Sequence, residues 1–146
     1  MSISIKPGQW RKIHPDECGG EDILIDKLGS GLGIFLYDPK SRLTFGGHFA
    51  APDAQHVEAF GQLLDQAVAD FRESPLIRIY VSGCTEQDHE SWGTTGAVPH
   101  RFVEAELRKW SRPNQRKDFR WPRQKVMYAE MSLYPVSGAF ECGFRW

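Results

Sequence analysis

Segment 28–48 of the sequence combines one imidazole, that of His48, with two apolar runs that contain several glycines. The runs are separated by the residues 38–41 (Asp-Pro-Lys-Ser), a typical turn sequence, and together they predict a β-hairpin. If the turn is centred between Pro39 and Lys40, Gly31 lies directly opposite His48. An imidazole there can accept or donate a proton near neutral pH, whereas Gly31 has no side chain for chemistry.

Strand alternation divides this hairpin into two unlike faces. One face holds the larger apolar side chains, Leu32, Ile34, Leu36, Leu43 and Phe45. The other holds Gly31, Gly33, Gly46 and His48 with Phe35 and Thr44, and it predicts a shallow recess beneath the histidine. The residues predicted to border that recess are Ser30, Gly33, Thr44, Gly46 and Gly47. Alternation turns Ser30 toward the side of Leu32, so its hydroxyl is expected to be structural.

A thiol that could act with His48 is that of Cys84, which follows a strand predicted at 76–82. One interpretation is that Cys84 is a relocated nucleophile, whose thiol the turn after this strand would present near His48 if the strand lies beside the hairpin. The alternative, a small buried filler at a strand end, is favoured by roughly four to one, because free cysteine is usually buried and inert. The set Cys84, His89 and His100 matches no compact zinc pattern, so we expect neither a metal nor a cofactor.

The elements around the hairpin predict an α+β domain. After Pro52, Asp53 is a plausible N-cap for a helix whose apolar residues are Val57, Phe60, Leu64, Ala67, Val68 and Phe71, and Pro75 follows that helix. A second helix is predicted at 99–110, and two strands at 124–133 and 138–144. Residues 1–146 are therefore expected to form one domain, with largely antiparallel sheet layers and two main helices.

Composition narrows the class of protein. The chain has 146 residues, 40% hydrophobic and 25% charged, with a formal net charge of −1. That charge does not favour nucleic acid as a partner, and no run is apolar and long enough for membrane insertion. The three cysteines, Cys18, Cys84 and Cys142, are widely spaced and odd in number, which favours free thiols and a cytoplasmic location.

Segment 108–125 is strongly basic, with aromatic residues between the cations. Its basic residues are Arg108, Lys109, Arg112, Arg116, Lys117, Arg120, Arg123 and Lys125, against one acid, Asp118. Such mixing can bind phosphates or stacked bases. A solvated connection between a helix and a strand is the favoured interpretation, followed by a site for an acidic protein and then by one for nucleic acid.

The hairpin resembles the CheD family of chemoreceptor glutamine deamidases. The matching segments are 28–31 (Leu-Gly-Ser-Gly), 36–38 (Leu-Tyr-Asp), 46–49 (Gly-Gly-His-Phe) and Pro52. The family's signature is Leu-Gly-Ser-Cys, an apolar strand ending in Asp, a Gly-Gly and His-Phe segment, and a closing Pro. Weaker similarity extends through most of the chain, including 81–84 and 135–138.

This resemblance implies a Cys-His-Thr constellation that hydrolyses the side-chain amide of glutamines on bacterial chemoreceptors. A thiol attacks such an amide as thiolate, and an imidazole on the opposed strand can take its proton. His48 matches the family's histidine, Gly31 stands at the position of the cysteine, and Ile25 stands at that of the threonine. Two of the three catalytic positions thus lack the atoms that this chemistry needs.

Two hypotheses follow. In the first, the chain is a protein-binding or regulatory module on a deamidase scaffold, without catalysis. In the second, it is an active protein-glutamine deamidase, in which Cys84 is the nucleophile or Gly31 replaces a natural cysteine. Either way the expected partner is a protein, and in the second it presents a glutamine side chain.

Overall fold

The computed structural model describes residues 2–28, 32–49, 54–71, 74, 76–83, 100–112, 115–120 and 128–145. Within these ranges the chain forms nine strands and three helices. The strands are β1 (Ile3–Ser4), β2 (Gln9–Ile13), β3 (Ile23–Leu28), β4 (Leu32–Tyr37), β5 (Thr44–Phe49), β6 (Arg78–Gly83), β7 (Arg116–Arg120), β8 (Tyr128–Tyr134) and β9 (Ala139–Arg145). The helices are α1 (Pro15–Cys18), α2 (Ala54–Asp70) and α3 (His100–Trp110).

These strands form two sheets. The first has four strands in the order β1-β3-β8-β9, and the second has five in the order β2-β5-β4-β6-β7. The pairs β1–β3 and β6–β7 are parallel, and the other pairs are antiparallel. The α+β class, with mixed and largely antiparallel sheets and two main helices, is confirmed. Within the described residues, no helix is long and apolar enough to cross a membrane.

The two sheets and the helices stack as three layers with two cores. Between the sheets, Phe35, Tyr37 and Tyr80 of the five-stranded sheet pack against Ile25 and Met131 of the four-stranded one. The second core lies on the other face of the five-stranded sheet, where its apolar residues meet α2 and α3. The central strands of the five-stranded sheet are therefore covered on both faces, and every residue of β4 and β5 is buried.

The predicted hairpin is present, but its predicted register is wrong by two residues. Tyr37 pairs with Thr44 and Gly33 with His48, whereas the sequence analysis paired Gly31 with His48. The cause is the loop 38–43, in which the Asp38 carboxylate accepts hydrogen bonds from Lys40 N and Ser41 Oγ. This loop takes up two more residues than a turn centred on Pro39 and Lys40. Because the shift is even, the division of the hairpin into two faces is unchanged.

The other predicted elements lie close to their expected places. Helices α2 and α3, strand β6 and the terminal pair β8–β9 are confirmed. Strand β6 begins two residues and β9 one residue later than expected, and residues 124–127 of the strand predicted at 124–133 lie outside the described residues. Strands β1, β2 and β3 and the short α1 were not predicted. The prediction for residues 116–120 of the basic segment was wrong. They were expected to belong to a solvated connection, but they form strand β7, which pairs with β6 at the sheet edge.

Candidate functional site

His48 lies near the end of β5 on the face that the five-stranded sheet turns toward the four-stranded one. Only 2% of the residue is exposed. Its Nδ1 lies 3.3 Å from the backbone carbonyl oxygen of Ile5, just after β1. The tautomer protonated at Nδ1 donates to that carbonyl and leaves Nε2 unprotonated. The segment after β1 thus fixes the orientation of the ring.

The recess predicted beside His48 is filled where the structure describes it. A Cβ atom placed on Gly33 would lie 2.6 Å from Met131 Sδ, and 3.1 Å from both Ile25 Cγ2 and Leu28 Cδ1. Real Cβ atoms do not come that close to a neighbour, so glycine is what allows the opposite sheet to pack here. The expectation of an open patch at Gly33 is therefore wrong, because side chains of β3 and β8 occupy it.

Gly46, two residues before His48 on β5, also permits close packing against the opposite sheet. A Cβ atom there would collide with Ile5 Cδ1 and would lie 3.3 Å from two ring atoms of Phe35. Gly33 and Gly46, the described glycines of this face, are thus explained by sheet packing. Ile25, which stands at the position of the family's threonine, is fully buried and contributes to the same inter-sheet core.

The remaining described residues of the predicted site do not share one cleft with His48. Gly47 faces the helices instead, since a Cβ atom there would lie 2.7 Å from the Phe49 ring and 3.0 Å from Leu63 Cδ1. Thr44 shares the face of His48 but lies four residues away, about 13 Å along an extended strand. Its buried hydroxyl has no hydrogen-bond partner among the described residues.

Three of the predicted site residues lie outside the described residues: Ser30, Gly31 and Cys84. The structure therefore does not bear on Gly31 as the nucleophile position, on Ser30 as a border of the recess, or on Cys84 as a relocated nucleophile. The same holds for Asp53 as an N-cap, and for His89 in the weighed metal set. Among the described residues, no group of three or more His, Cys, Asp or Glu side chains could hold a metal ion.

A thiol that sequence reasoning did not place near the site is that of Cys142 on β9. Its Sγ donates a hydrogen bond to Ser82 Oγ, at 3.2 Å, between the two sheets. Burial raises the pKa of this thiol, although Ser82 and the nearby Arg120 charge act in the opposite direction. A raised pKa reduces the thiolate fraction at neutral pH, so Cys142 has the character of a structural cysteine.

The sheet register shows how Cys142 stands relative to His48. His48, Gly33 and Ser82 are consecutive register partners across β5, β4 and β6. Neighbouring strands lie about 4.8 Å apart, so the Cα atoms of His48 and Ser82 are separated by about 10 Å. Met131 packs over the glycine between them. Cys142, which is hydrogen-bonded to Ser82, therefore lies on the far side of Gly33 from the imidazole.

The described part of the basic segment is held by specific contacts. The Arg108 guanidinium lies 5.0 Å from the ring centre of Phe119, and the Arg120 guanidinium lies 5.0 Å from that of Phe140. Arg120 also forms two hydrogen bonds to the Asp118 carboxylate, both 3.0 Å long. Such cation–π contacts and ion pairs fix these cations on the protein surface.

No protein-family model matches the chain, and no curated protein matches it.

Proposed function

We propose that this chain is a protein-binding or regulatory module on a CheD-like deamidase scaffold, and that it does not hydrolyse glutamine side chains. The motif that resembles the family has Gly31 where a nucleophile is needed. The observation that carries the proposal is the packing of Met131, Ile25 and Leu28 against Gly33, the register partner of His48. That packing leaves no open space at Gly33, beside the imidazole, for a substrate amide.

The thiols of the described residues support the same proposal. Cys18 and Cys142 are both free, and burial raises the pKa of each. Covalent amide hydrolysis needs a thiolate within hydrogen-bond reach of its base. The Cys142 thiol is instead hydrogen-bonded to Ser82, and Gly33 lies between Ser82 and His48 in the sheet. The three cysteines, none of them suited by spacing to a secreted framework, support a cytoplasmic location as part of this proposal.

One observation favours the second candidate function, that of an active protein-glutamine deamidase. The Ile5 carbonyl next to His48 Nδ1 is the kind of partner that orients a histidine base. In this alternative the nucleophile is Cys84, or a cysteine that belongs at position 31. The substrate is then a protein with an accessible glutamine.

Mass spectrometry of glutamine-containing peptides separates the two candidates, because amide hydrolysis adds about one dalton per glutamine. The peptides are incubated with the unmodified chain, with Cys84→Ala and with Gly31→Cys. We expect no mass gain with the unmodified chain or with Cys84→Ala. A gain with the unmodified chain that disappears in Cys84→Ala would contradict the proposal and establish the alternative.

Gly31→Cys tests whether the scaffold descends from a deamidase. Hydrolysis that appears in Gly31→Cys and is absent in the matched variant Gly31→Ser would support a lost nucleophile, since serine adds similar bulk without the thiolate. The double variant Gly31→Cys, His48→Gln then reports whether the gained activity depends on the imidazole.

A further inference from the structure

A small cavity lies on the helix side of the five-stranded sheet, where α2 and α3 end. Its volume is about 200 Å³. Its apolar walls are Val68 and Phe71 from the end of α2, Ile77 before β6, and Trp110 at the end of α3. Trp110 is fixed in place because its Nε1 donates to the Leu64 carbonyl, at 3.3 Å. We call this the α2–α3 cavity.

Apolar surface continues outside the α2–α3 cavity. Val68 was expected to belong to the buried stripe of α2, but 47% of it is exposed. Leu76, which directly precedes the wall residue Ile77, is 61% exposed. These are two of the three large exposed hydrophobic residues in the described part of the chain, the third being Val136. Val68 is the one of the three that lines the cavity, and an exposed apolar residue on a concave wall is a feature of docking surfaces.

The polar side of the cavity is cationic. Arg112 is the one charged residue among its described lining residues, and Gln115 lies beside it. Lys117 adds a second cation, because its Nζ donates to the carbonyl oxygens of Arg112 and Gln115, at 3.2 and 3.1 Å. The ammonium group is therefore attached to the rim of the cavity, and the site combines apolar walls with positive charge.

We propose that the α2–α3 cavity docks an acidic segment of a partner protein and receives one apolar side chain of that segment as an anchor. This inference rests on the proposed function, because it assigns the binding surface of the module. The cavity is smaller than the roughly 300–1,000 Å³ typical of small-molecule sites, which fits one side chain better than a cofactor. The wall residue Val68 is also exposed to solvent, where a peptide can contact it, and the cations complement acidic flanks.

Fluorescence polarisation with a defined peptide tests this proposal. The probe is a fluorescein-labelled peptide with Leu-Phe at its centre and Asp and Glu residues on both sides, without glutamine. A second probe replaces the central Leu-Phe by Ala-Ala. We expect saturable binding of the first probe and at least tenfold weaker binding of the second, since a buried anchor usually dominates such contacts.

Two variants with the same substitution supply the matched comparison. Val68→Glu places a carboxylate on the cavity wall, and Val136→Glu places one at a similarly exposed position, 43% against 47%, on the turn between β8 and β9. We expect Val68→Glu to weaken binding about tenfold or more and Val136→Glu to change it by less than about twofold. Lys117→Gln should weaken binding and flatten its dependence on salt.

Three results would overturn the inference: no saturable binding to the unmodified chain, equal binding of the two probes, or equal loss in Val68→Glu and Val136→Glu. Because the probe contains no glutamine, these results do not depend on deamidase activity. A positive deamidation assay together with cavity binding would refute the proposed function alone. A negative assay without cavity binding would refute this inference alone.

Discussion

His48 faces Gly33 across the pairing of β5 with β4, and Met131 from the opposite sheet packs onto that glycine. The imidazole is therefore part of the layer between two sheets, with its Nδ1 beside the Ile5 carbonyl. In this arrangement the lack of a side chain at Gly33 creates no free space. It permits the close approach of β3 and β8, which links the glycine-rich motif to sheet packing.

A methyl group at position 33 tests that role of glycine. Gly33→Ala places a Cβ atom 2.6 Å from Met131 Sδ and 3.1 Å from Ile25 Cγ2. Overpacking of a buried site costs roughly 1–3 kcal/mol, so we expect the free energy of unfolding to fall by that amount. Urea denaturation of the variant and the unmodified chain measures the difference.

The matched control for this substitution is Gly61→Ala on α2. A Cβ atom at Gly61 meets nothing within 4 Å, and alanine is favoured over glycine inside a helix by about 1 kcal/mol. Gly61→Ala should therefore stabilise the chain. The double variant Gly33→Ala, Met131→Ala should lose less stability than the sum of its single variants, because shortening Met131 makes room for the methyl group. Strict additivity would contradict direct packing of Met131 on Gly33.

The Asp38 carboxylate makes the stability of the hairpin loop depend on pH. Burial alone would raise the pKa of Asp38, but hydrogen bonds, among them those from Lys40 N and Ser41 Oγ, outweigh it and hold the pKa below its ordinary value. A lowered folded-state pKa contributes stability that is present above the unfolded value and is lost as the pH falls through the folded value. Asp38→Asn should thus cost about 1–3 kcal/mol at pH 7, and less in strong acid.

Urea denaturation at pH 7 and in strong acid checks this expectation. Asp65→Asn, at an exposed position on α2, is the control and should change the stability by less than about 0.5 kcal/mol at either pH. A loss in Asp38→Asn that is the same at both pH values would show that ionisation of this carboxyl does not matter for the loop.

The Cys142 thiol is expected to react slowly in the folded chain. Burial is the main reason for its raised pKa, and a lower thiolate fraction and restricted access both slow alkylation. Peptide-resolved mass spectrometry after iodoacetamide treatment should find Cys142 labelled at least tenfold more slowly than in the urea-unfolded chain. Arg120→Gln removes a charge that lowers this pKa and should move the labelling profile to still higher pH. Equal labelling of the folded and unfolded chains would contradict this expectation.

The sequence was informative where one structural period dominates. The hairpin faces, α2 and the terminal strands follow from alternation or helical spacing, and these elements are present. The register was wrong because the capped loop at Asp38 depends on side-chain hydrogen bonds that residue types alone do not reveal. Strand β7 was missed because its sequence, Arg-Lys-Asp-Phe-Arg, shows almost no apolar alternation, although edge strands commonly carry charged residues.

The site was predictable to a smaller extent. His48 was singled out correctly as a residue on the glycine-rich face, but its burial depends on a second sheet whose strands come from both ends of the chain. The hydrogen bond between Cys142 and Ser82 joins residues 60 positions apart, and no local sequence pattern predicts it. Glycines that line a cleft and glycines that allow a neighbouring sheet to pack closely have the same sequence pattern. Only the position of the second sheet distinguishes them.

Strand β3 was missed for a reason that can itself be tested. Its pairing with β8 shifts between Ile25 and Leu28, and Lys27 in that bulge has a φ of 55°. The bulge turns both Ile25 and Leu28 inward although they are three residues apart, which breaks the two-residue period.

Only glycine adopts a positive φ without steric cost, so Lys27→Gly should stabilise the chain by up to about 1 kcal/mol. Glu141→Gly, in the regular strand β9, should destabilise it by about 0.5–1 kcal/mol. Thermal and urea unfolding of the two variants measure this contrast, and a loss of stability in both would show that the backbone at Lys27 is not strained.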